Sequence, residues 1–347
     1  MGSYLDKSKC MAVSFNSELN AQMKNSLKAN KKGLFYIVVS SMLIIIMIVI
    51  FVAYKEYGYT DRQKVMETRI RTINDFIKNI DSDSKRAIYI SGFRALIAIE
   101  DYVARTGKYL GNTEELFRTA FYNGTVNGTK VDVLINSSYS EYLAKLQIIA
   151  GRIGLDIDIN VTNITLYHES PWSVGVIATT MINITDKKGV ARWEFTRDYN
   201  TTVSLINIRD PVYSVATYGR VPNTIRKAPI NITDFVSPNN DTTNLTILIN
   251  NSYYVDNSLA PSFLMRLKGN FSSSPYGIES LVNIPELIDQ NVNYSDSRSI
   301  VDYILFSSIT GYASRVCNVD NMPSWFTIDT NHTTKYEVNK LSSTPCS

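Results

Sequence analysis

The chain of 347 residues has little of the side-chain chemistry on which many catalytic and metal sites depend. It contains two histidines and three cysteines, and it lacks the His-x-x-x-His, Cys-x-x-Cys, Gly-x-Ser-x-Gly and phosphate-binding glycine-loop patterns. Those absences exclude the common zinc, thiol-redox, serine-hydrolase and nucleotide motifs. The sequence therefore predicts no metal, no cofactor and no catalytic residue, and we expect a protein that is not an enzyme.

Charge is also sparse, and it is balanced. Charged residues make up 19% of the chain, and the formal net charge is +3. No basic run with interleaved aromatic residues occurs, so nucleic acid is not an expected partner.

Two pairs of carboxylates come nearest to a cation site. Asp156 and Asp158 fall on one face of an alternating segment, and Asp81 and Asp83 precede a basic pair. Neither pair has the Asp-x-Asp-x-Asp-Gly spacing of a calcium loop. We therefore expect these carboxylates to be solvated rather than bound to a cation. His168 is expected to be a surface or turn residue rather than a base.

The longest hydrophobic run is Leu34 to Tyr54, 21 residues without a charge, glycine or proline. A helix of that length spans roughly 30 Å, the thickness of the hydrocarbon core of a bilayer. The run is too long for an ordinary secretory signal, and no small-x-small cleavage pattern follows it. We therefore predict a transmembrane helix over 34–54 in contact with membrane lipid, the alternative being a buried core helix.

Charge on the two sides of this run predicts its orientation. Residues 1–33 carry six lysines against Asp6 and Glu18, whereas residues 55–69 carry four basic and three acidic residues. Because the positive excess lies before the span, we expect a cytoplasmic N-terminus, a cell-membrane location and an extracellular C-terminal part.

Acceptor sites for N-linked glycans have the same asymmetry. Fourteen Asn-x-Ser/Thr sequons occur, and none precedes residue 123. This distribution predicts a surface exposed to a glycosylation machinery. The sequon asparagines are Asn123, Asn127, Asn136, Asn160, Asn163, Asn183, Asn200, Asn231, Asn240, Asn244, Asn250, Asn270, Asn293 and Asn331.

The three cysteines divide between the two sides of the span. Cys10 is expected to be a reduced cytoplasmic thiol, and Cys317 and Cys346 lie on the predicted outer side, where disulfides persist. A Cys317–Cys346 bond would contribute roughly 3 kcal/mol by the chain-entropy model. Two free surface thiols are the alternative.

Periodicity predicts the order of secondary structure. An apolar stripe from Met66 to Ile80 indicates an amphipathic helix over 61–105 with Thr60 as its cap. Residues 1–30 lack a clear apolar period, which predicts little fixed structure. Capping residues Asn112 and Ser138 predict two shorter helices, and Phe263 to Lys268 predicts a helical turn stopped by glycine. Predicted strands cover 155–166, 172–185, 190–196, 201–208, 245–249 and 300–306.

Within the long helix, Ser91 and Gly92 predict a close approach of another element, and Arg94 is expected to pair with Glu100 or Asp101.

Several phrases resemble those of archaeal membrane-anchored surface glycoproteins that have no assigned activity. They are AIYISGFRALIAIEDYV (87–103), RDPVYSVATYG (209–219), FLMRLKGNFSSSPYGIESLVN (263–283), SIVDYILF (299–306) and PSWFTID (323–329). The resemblance implies location and architecture only. The N-terminal part has a weaker resemblance to another family. Lys31-Lys32-Gly33, followed by the apolar run, resembles the class III signal of archaeal type IV pilins. It implies cleavage between Gly33 and Leu34 and a filament core built from the apolar helix.

Together these features predict an α+β protein with a single N-terminal transmembrane helix, a long amphipathic helix and a β-rich extracellular domain of antiparallel sheet with a few short helices. The expected parts are a cytoplasmic tail or leader (1–33), the span (34–54), a membrane-proximal helix (55–105) and a glycosylated mixed α/β ectodomain (106–347). The expected function is a structural or interaction role in the envelope, with self-association or binding of other envelope proteins through the helix 61–105. The alternatives are a pilin-like subunit and an extracellular binding module or hydrolase with an unidentified site.

Overall fold

The structure is a computed structural model that describes residues 6–229, 234–237, 239–307 and 316–341; side chains within 6–32 and 56–62 are not described. The chain divides into two units, Met1–Asp75 and Phe76–Ser347. It is a mixed chain of helices and antiparallel sheets with one N-terminal apolar helix, which confirms the α+β class.

Helix α1 (Asp6–Thr106) begins in the first unit and ends in the second. Its segment Gly33–Lys55 has a mean hydropathy of 3.0 and is 0% buried, so this segment is long and apolar enough to cross a bilayer. The expectation of little fixed structure is wrong for residues 6–30, and so is the expectation of a helix that starts at about Asp61 with Thr60 as its cap, because α1 runs through both places. Residues 6–32 contain no glycine or proline, and the single Gly58 costs only about 1 kcal/mol of helix propensity.

Two short helices of the second unit confirm the predicted caps. In α2 (Thr113–Asn123) the Asn112 side chain accepts from the Glu115 amide, and in α3 (Tyr139–Arg152) Ser138 and Glu141 form a capping box. Between the helices lie the two-residue strands β1 (Thr125–Val126) and β2 (Thr129–Lys130), followed by one turn of 3-10 helix.

The largest sheet has three antiparallel strands in the order β3 (Leu155–Ser170), β4 (Ser173–Asp186) and β5 (Arg192–Ser204). Ile182 on the central strand lies opposite Ile159 on β3 and Phe195 on β5. A tight turn connects β4 to β5, with Gly189 at φ +72°. The two strands predicted over 190–208 are one continuous strand, since β5 stays paired with β4 from Arg192 to Ser204.

One face of this sheet is buried against the C-terminal part of α1. A Cβ added to Gly92 would lie 3.2 Å from Val176 Cγ2 and 3.5 Å from Val203 Cγ2. The Ser91 hydroxyl, also buried, donates to the Ser137 carbonyl over 2.7 Å. The close approach predicted from Ser91 and Gly92 is therefore confirmed.

The opposite face of the sheet is polar and open to solvent. Strand residues that share a face alternate along each strand, and the register places four sequon asparagines on this outer face. They are Asn160, Asn163, Asn183 and Asn200.

The remaining chain forms short elements around a second core. They are α4 (Pro211–Ala216), α5 (Thr243–Asn250), β6 (Tyr254–Asp256), α6 (Phe263–Lys268), β7 (Ile278–Ser280), α7 (Ile284–Asp289), α8 (Asp302–Leu305), β8 (Val316–Asn318) and β9 (Thr327–Asp329). Strand β6 pairs with β7, and β8 pairs with β9. The predicted helical turn at α6 is confirmed, with Gly269 at φ +66° as its cap.

Two predicted strands in this region are wrong. Residues 245–249 lie in α5, where Leu245, Leu248 and Ile249 are buried at helical spacing. Residues 302–305 form α8, and strand-like pairing is limited to a bridge from Val301 to Leu281. Short apolar runs fit both helix and strand, and burial on all sides removes the alternation that separates them.

Candidate functional site

A groove of about 530 Å³ lies between the end of α1 and the β1–β2 hairpin in the second unit. Its walls carry hydroxyl, amide, carboxylate and guanidinium groups beside a tyrosine ring. The lining residues are Ile97, Asp101, Tyr102, Arg105, Thr106, Val126, Asn127, Thr129, Lys130, Val131, Asp132, Val133 and Arg209. The groove can therefore offer both hydrogen bonds and an aromatic surface to a polar solute.

Asp101 holds the two arginines of the groove in place. Its Oδ2 lies 2.9 Å from Arg105 Nε and its Oδ1 lies 3.9 Å from Arg209 Nη2. Arg209 also lies 3.5 Å from Glu100, whose other oxygen accepts from the Ser214 hydroxyl over 3.0 Å. Burial raises the pKa of Glu100, and Arg209 and Ser214 act against that rise. The charges at this wall are thus mutually paired and fixed, and neither sign dominates.

The hairpin that closes the groove turns at Asn127 and Gly128, with φ +49° and +77°. Two successive positive φ angles in a two-residue loop are the type I′ geometry that Asn-Gly favours. The Asn127 Nδ2 atom donates to the Tyr102 hydroxyl over 3.3 Å and so ties the turn to α1. Our sequence reading missed this hairpin, although the Asn-Gly dipeptide was the signal that could have found it.

A buried ion cluster lies in the second core. Arg266 Nη1 lies 2.6 Å from Asp210 Oδ2, and Nη1 and Nη2 lie 3.1 and 3.0 Å from the two oxygens of Asp302. Asp210 also accepts from the Tyr254 hydroxyl, and Asp302 accepts from Ser280. Burial raises the pKa of Asp302 to about 6, although Arg266 acts in the opposite direction. Burial alone would lower the pKa of Arg266, but the two carboxylates more than offset this effect.

A second buried cluster surrounds His332. Its Nδ1 lies 2.8 Å from Asp329, and its Nε2 lies 3.2 Å from both Glu279 Oε2 and the Tyr303 hydroxyl. Burial alone would lower the pKa of His332, but its hydrogen bonds to Asp329 and Glu279 and their charges raise it to about 10. His332 is therefore a cation at neutral pH. No sequence motif had indicated this role.

Strand β7 connects the two clusters through three consecutive residues. The Ile278 carbonyl accepts from Arg266, Glu279 contacts His332, and Ser280 donates to Asp302. The six charged residues of the clusters have 1% or less of their surface exposed, so they are closed to solutes. They are Asp210, Arg266, Glu279, Asp302, Asp329 and His332. We interpret the clusters as determinants of the fold and the groove as the candidate site.

The predicted glycan sites are accessible wherever the structure describes them. Asn183 and Asn244 are half-buried, and Asn231 lies outside the described residues. The exposed sequon asparagines are Asn123, Asn127, Asn136, Asn160, Asn163, Asn200, Asn240, Asn250, Asn270, Asn293 and Asn331.

The other predicted site residues lie apart from the groove. Gly33 and Leu34 are exposed in α1, and a Cβ added to Gly33 would meet nothing within 4 Å. Cys317 lies in β8, whereas Cys346 lies outside the described residues, so their disulfide stays a prediction. Among the described residues, no group of three or more His, Cys, Asp or Glu side chains could hold a metal ion.

Three residues considered from the sequence make contacts that the sequence did not predict. Arg94 donates to the Val133 carbonyl over 3.4 Å, so its expected pairing with Glu100 or Asp101 is wrong. Asp81 is not merely solvated, since it accepts from Tyr199 over 2.8 Å and also binds Arg197. His168 is half-buried against Tyr276 and accepts from the Leu264 amide, and burial lowers its pKa to about 4.

Asp156 and Asp158 are exposed on the outer face of the sheet, as expected of solvated carboxylates.

Comparison of the chain with protein-family models, with curated proteins and with solved structures finds no match. The resemblance to archaeal surface glycoproteins therefore stays a prediction.

Proposed function

We propose that this chain is a single-pass, membrane-anchored and N-glycosylated cell-surface protein whose folded part has a structural or interaction role in the envelope. The observation that carries the proposal is the segment Gly33–Lys55, which has 23 residues and a high mean hydropathy and is not buried inside the protein. Exposure of this much apolar surface to water would be unfavourable in free energy, whereas contact with lipid avoids that exposure.

Charge and sequons support the same arrangement. Lysines dominate the part of the chain before the segment, which favours a cytoplasmic position for that part. All thirteen sequon asparagines that the structure describes are at least partly exposed, which supports glycosylation at these sites. Four of them share one solvent-facing sheet surface.

Binding is favoured over hydrolysis for the groove. Glycoside hydrolysis needs one carboxyl held neutral as an acid, commonly in an apolar pocket, and a second one across from it. Of the two carboxylates in the groove, Asp101 is ion-paired with Arg105, and Asp132 is exposed. Neither environment suits the acid.

A pilin-like subunit is the second candidate, and one observation favours it. Met66 and Ile70, at the start of the apolar stripe on α1, are 49% and 39% exposed. These side chains could pack against a neighbouring copy in a filament. Ile80, at the other end of the stripe, is buried within its own chain, so only part of the stripe is free for such contacts.

Protease treatment of intact cells tests the proposed topology. Cells carrying the full chain with one epitope tag before residue 6 and another after residue 341 should lose the second tag and keep the first. The control variant Leu43→Arg/Ile46→Arg places two charges in the segment, each costing about 3 kcal/mol at a bilayer centre, and should abolish membrane retention. Protection of the second tag in cells with intact membranes would exclude the proposed orientation.

A further inference from the structure

We propose that the groove binds the first sugars of a glycan carried by its own chain at Asn127. The inference rests on the proposed N-glycosylation and adds to it a binding site, a ligand class and an attachment point. The ligand is the core of an N-linked oligosaccharide, held by hydrogen bonds and by the ring of Tyr102.

The position of the attachment atom carries the argument. Asn127 itself lines the groove, and its Nδ2, the atom that bears the sugar in an N-linked glycan, lies 3.3 Å from the Tyr102 hydroxyl. Glycosylation replaces only one of the two Nδ2 hydrogens, and the other can continue to donate to Tyr102. A sugar joined to this nitrogen therefore starts at the groove wall.

Attachment of the glycan is a substitution at C1 of the donor sugar. Nδ2 attacks C1 of a sugar carried on a lipid phosphate, the C1–O bond to the phosphate breaks, and the lipid phosphate leaves as Nδ2 loses one proton. The sequon Asn127-Gly128-Thr129 is complete, and both Asn127 and Thr129 are exposed. The I′ turn holds the acceptor at the tip of a hairpin, where an enzyme can approach it.

The groove walls match what a sugar presents. A sugar ring has hydroxyl groups at its edge and C–H groups on its faces, and the groove has Asp101, Arg105 and Thr106 beside the Tyr102 ring. Its volume of about 530 Å³ falls within the range of small-ligand pockets. Because the glycan is tethered a few ångströms away, its effective concentration is high, and weak contacts suffice to hold it.

Substitutions at Thr129 give a matched test that leaves Asn127 and its bond to Tyr102 in place. Thr129→Ala destroys the sequon, whereas Thr129→Ser keeps it. Thr202→Ala removes the remote sequon of Asn200 on the outer face of the sheet. The full-length glycoprotein is purified from membranes in each case, and glycopeptide mass spectrometry reports which asparagines carry sugar.

The readout is the rate at which phenylglyoxal, an arginine reagent, modifies Arg105. Its side chain is 62% exposed, and Arg192, 66% exposed and outside the groove, is the internal reference. We expect Thr129→Ala to speed labelling of Arg105 relative to Arg192 by at least about threefold. Thr129→Ser and Thr202→Ala should leave the ratio at the parental value.

The outcomes separate this inference from the broader proposal. If no sequon carries sugar, both the proposed glycosylation and the inference fail. If other sequons are occupied but Asn127 is bare, or if Asn127 is occupied and the Arg105 ratio is the same in parent and Thr129→Ala, only the inference is overturned.

Discussion

Arg266 and Asp302 face each other as a two-pronged ion pair in which both side chains have no exposed surface. Nη1 and Nη2 of the arginine lie 3.1 and 3.0 Å from the two carboxylate oxygens. Asp210 contacts Nη1 as well, so a single cation is shared by two buried carboxylates. Buried ion pairs of this kind add little stability compared with an apolar core of the same volume, but removal of one partner leaves an uncompensated buried charge.

Replacement of Arg266 is therefore expected to be strongly destabilising. Arg266→Met leaves the carboxylates of Asp210 and Asp302 buried without a cation and should lower the free energy of unfolding by about 3–5 kcal/mol. Urea denaturation of the detergent-solubilised protein measures it. The control Arg118→Met removes an exposed arginine and should change the value by less than about 0.5 kcal/mol. Equal stability of the two variants would contradict the role of the cluster.

The raised pKa of His332 predicts a loss of stability at alkaline pH. A histidine titrates near 6.5 in an unfolded chain and at about 10 here, so its contribution is fully present below pH 6.5. That contribution falls as pH rises through about 10. The free energy of unfolding measured between pH 6.5 and 10 should decline less steeply in His332→Gln than in the parent. Parallel pH profiles would show that His332 is not charged in the fold.

The Cys317–Cys346 bond can be tested by single substitutions. Cys317→Ser and Cys346→Ser should each lower the melting temperature by several degrees, because an open loop regains entropy in the unfolded state. Reduction of the parent should reproduce the effect, and reduction of either variant should add nothing. Identical melting of all forms would show that the two thiols do not pair.

The state of the N-terminus distinguishes the membrane anchor from the pilin-like subunit. We expect the anchored form to retain Gly33, so that mass spectrometry of purified membranes finds a peptide spanning Lys32 to Leu34. A mature terminus at Leu34 that disappears in Gly33→Val would instead support cleavage and a filament role. Gly151→Val, at a glycine whose added Cβ also meets no neighbour, is the matched control.

Local signals predicted local structure well. The capping box at Ser138, the glycine stop at Gly269 and the alternation along β3 each depend on residues within a few positions of one another. The close packing at Gly92 was also foreseeable, because a small residue in an apolar helix leaves room for a neighbour. The groove was not foreseeable, since Arg209 reaches it from more than a hundred residues beyond Asp101.

The buried clusters show why the remainder could not be predicted. Asp302 lies within the strand predicted over 300–306, but residues 302–305 form a helix, and the Asp302 carboxylate accepts from the Tyr303 amide and from Arg266. His332 had no motif around it, because Glu279, one of its partners, lies 53 positions away. Pairings between distant segments depend on the completed fold, and a single sequence carries no record of them.

The spread of the buried charges along the chain has a consequence for synthesis. Asp210 is made long before Arg266, and Glu279 long before His332, so each early carboxylate has no cation until the later segment follows. The second core can close only when residue 332 has left the ribosome and any translocation channel. A chain that stops short of His332 leaves Glu279 and Asp329 without their shared cation, so the second core of such a chain should not close.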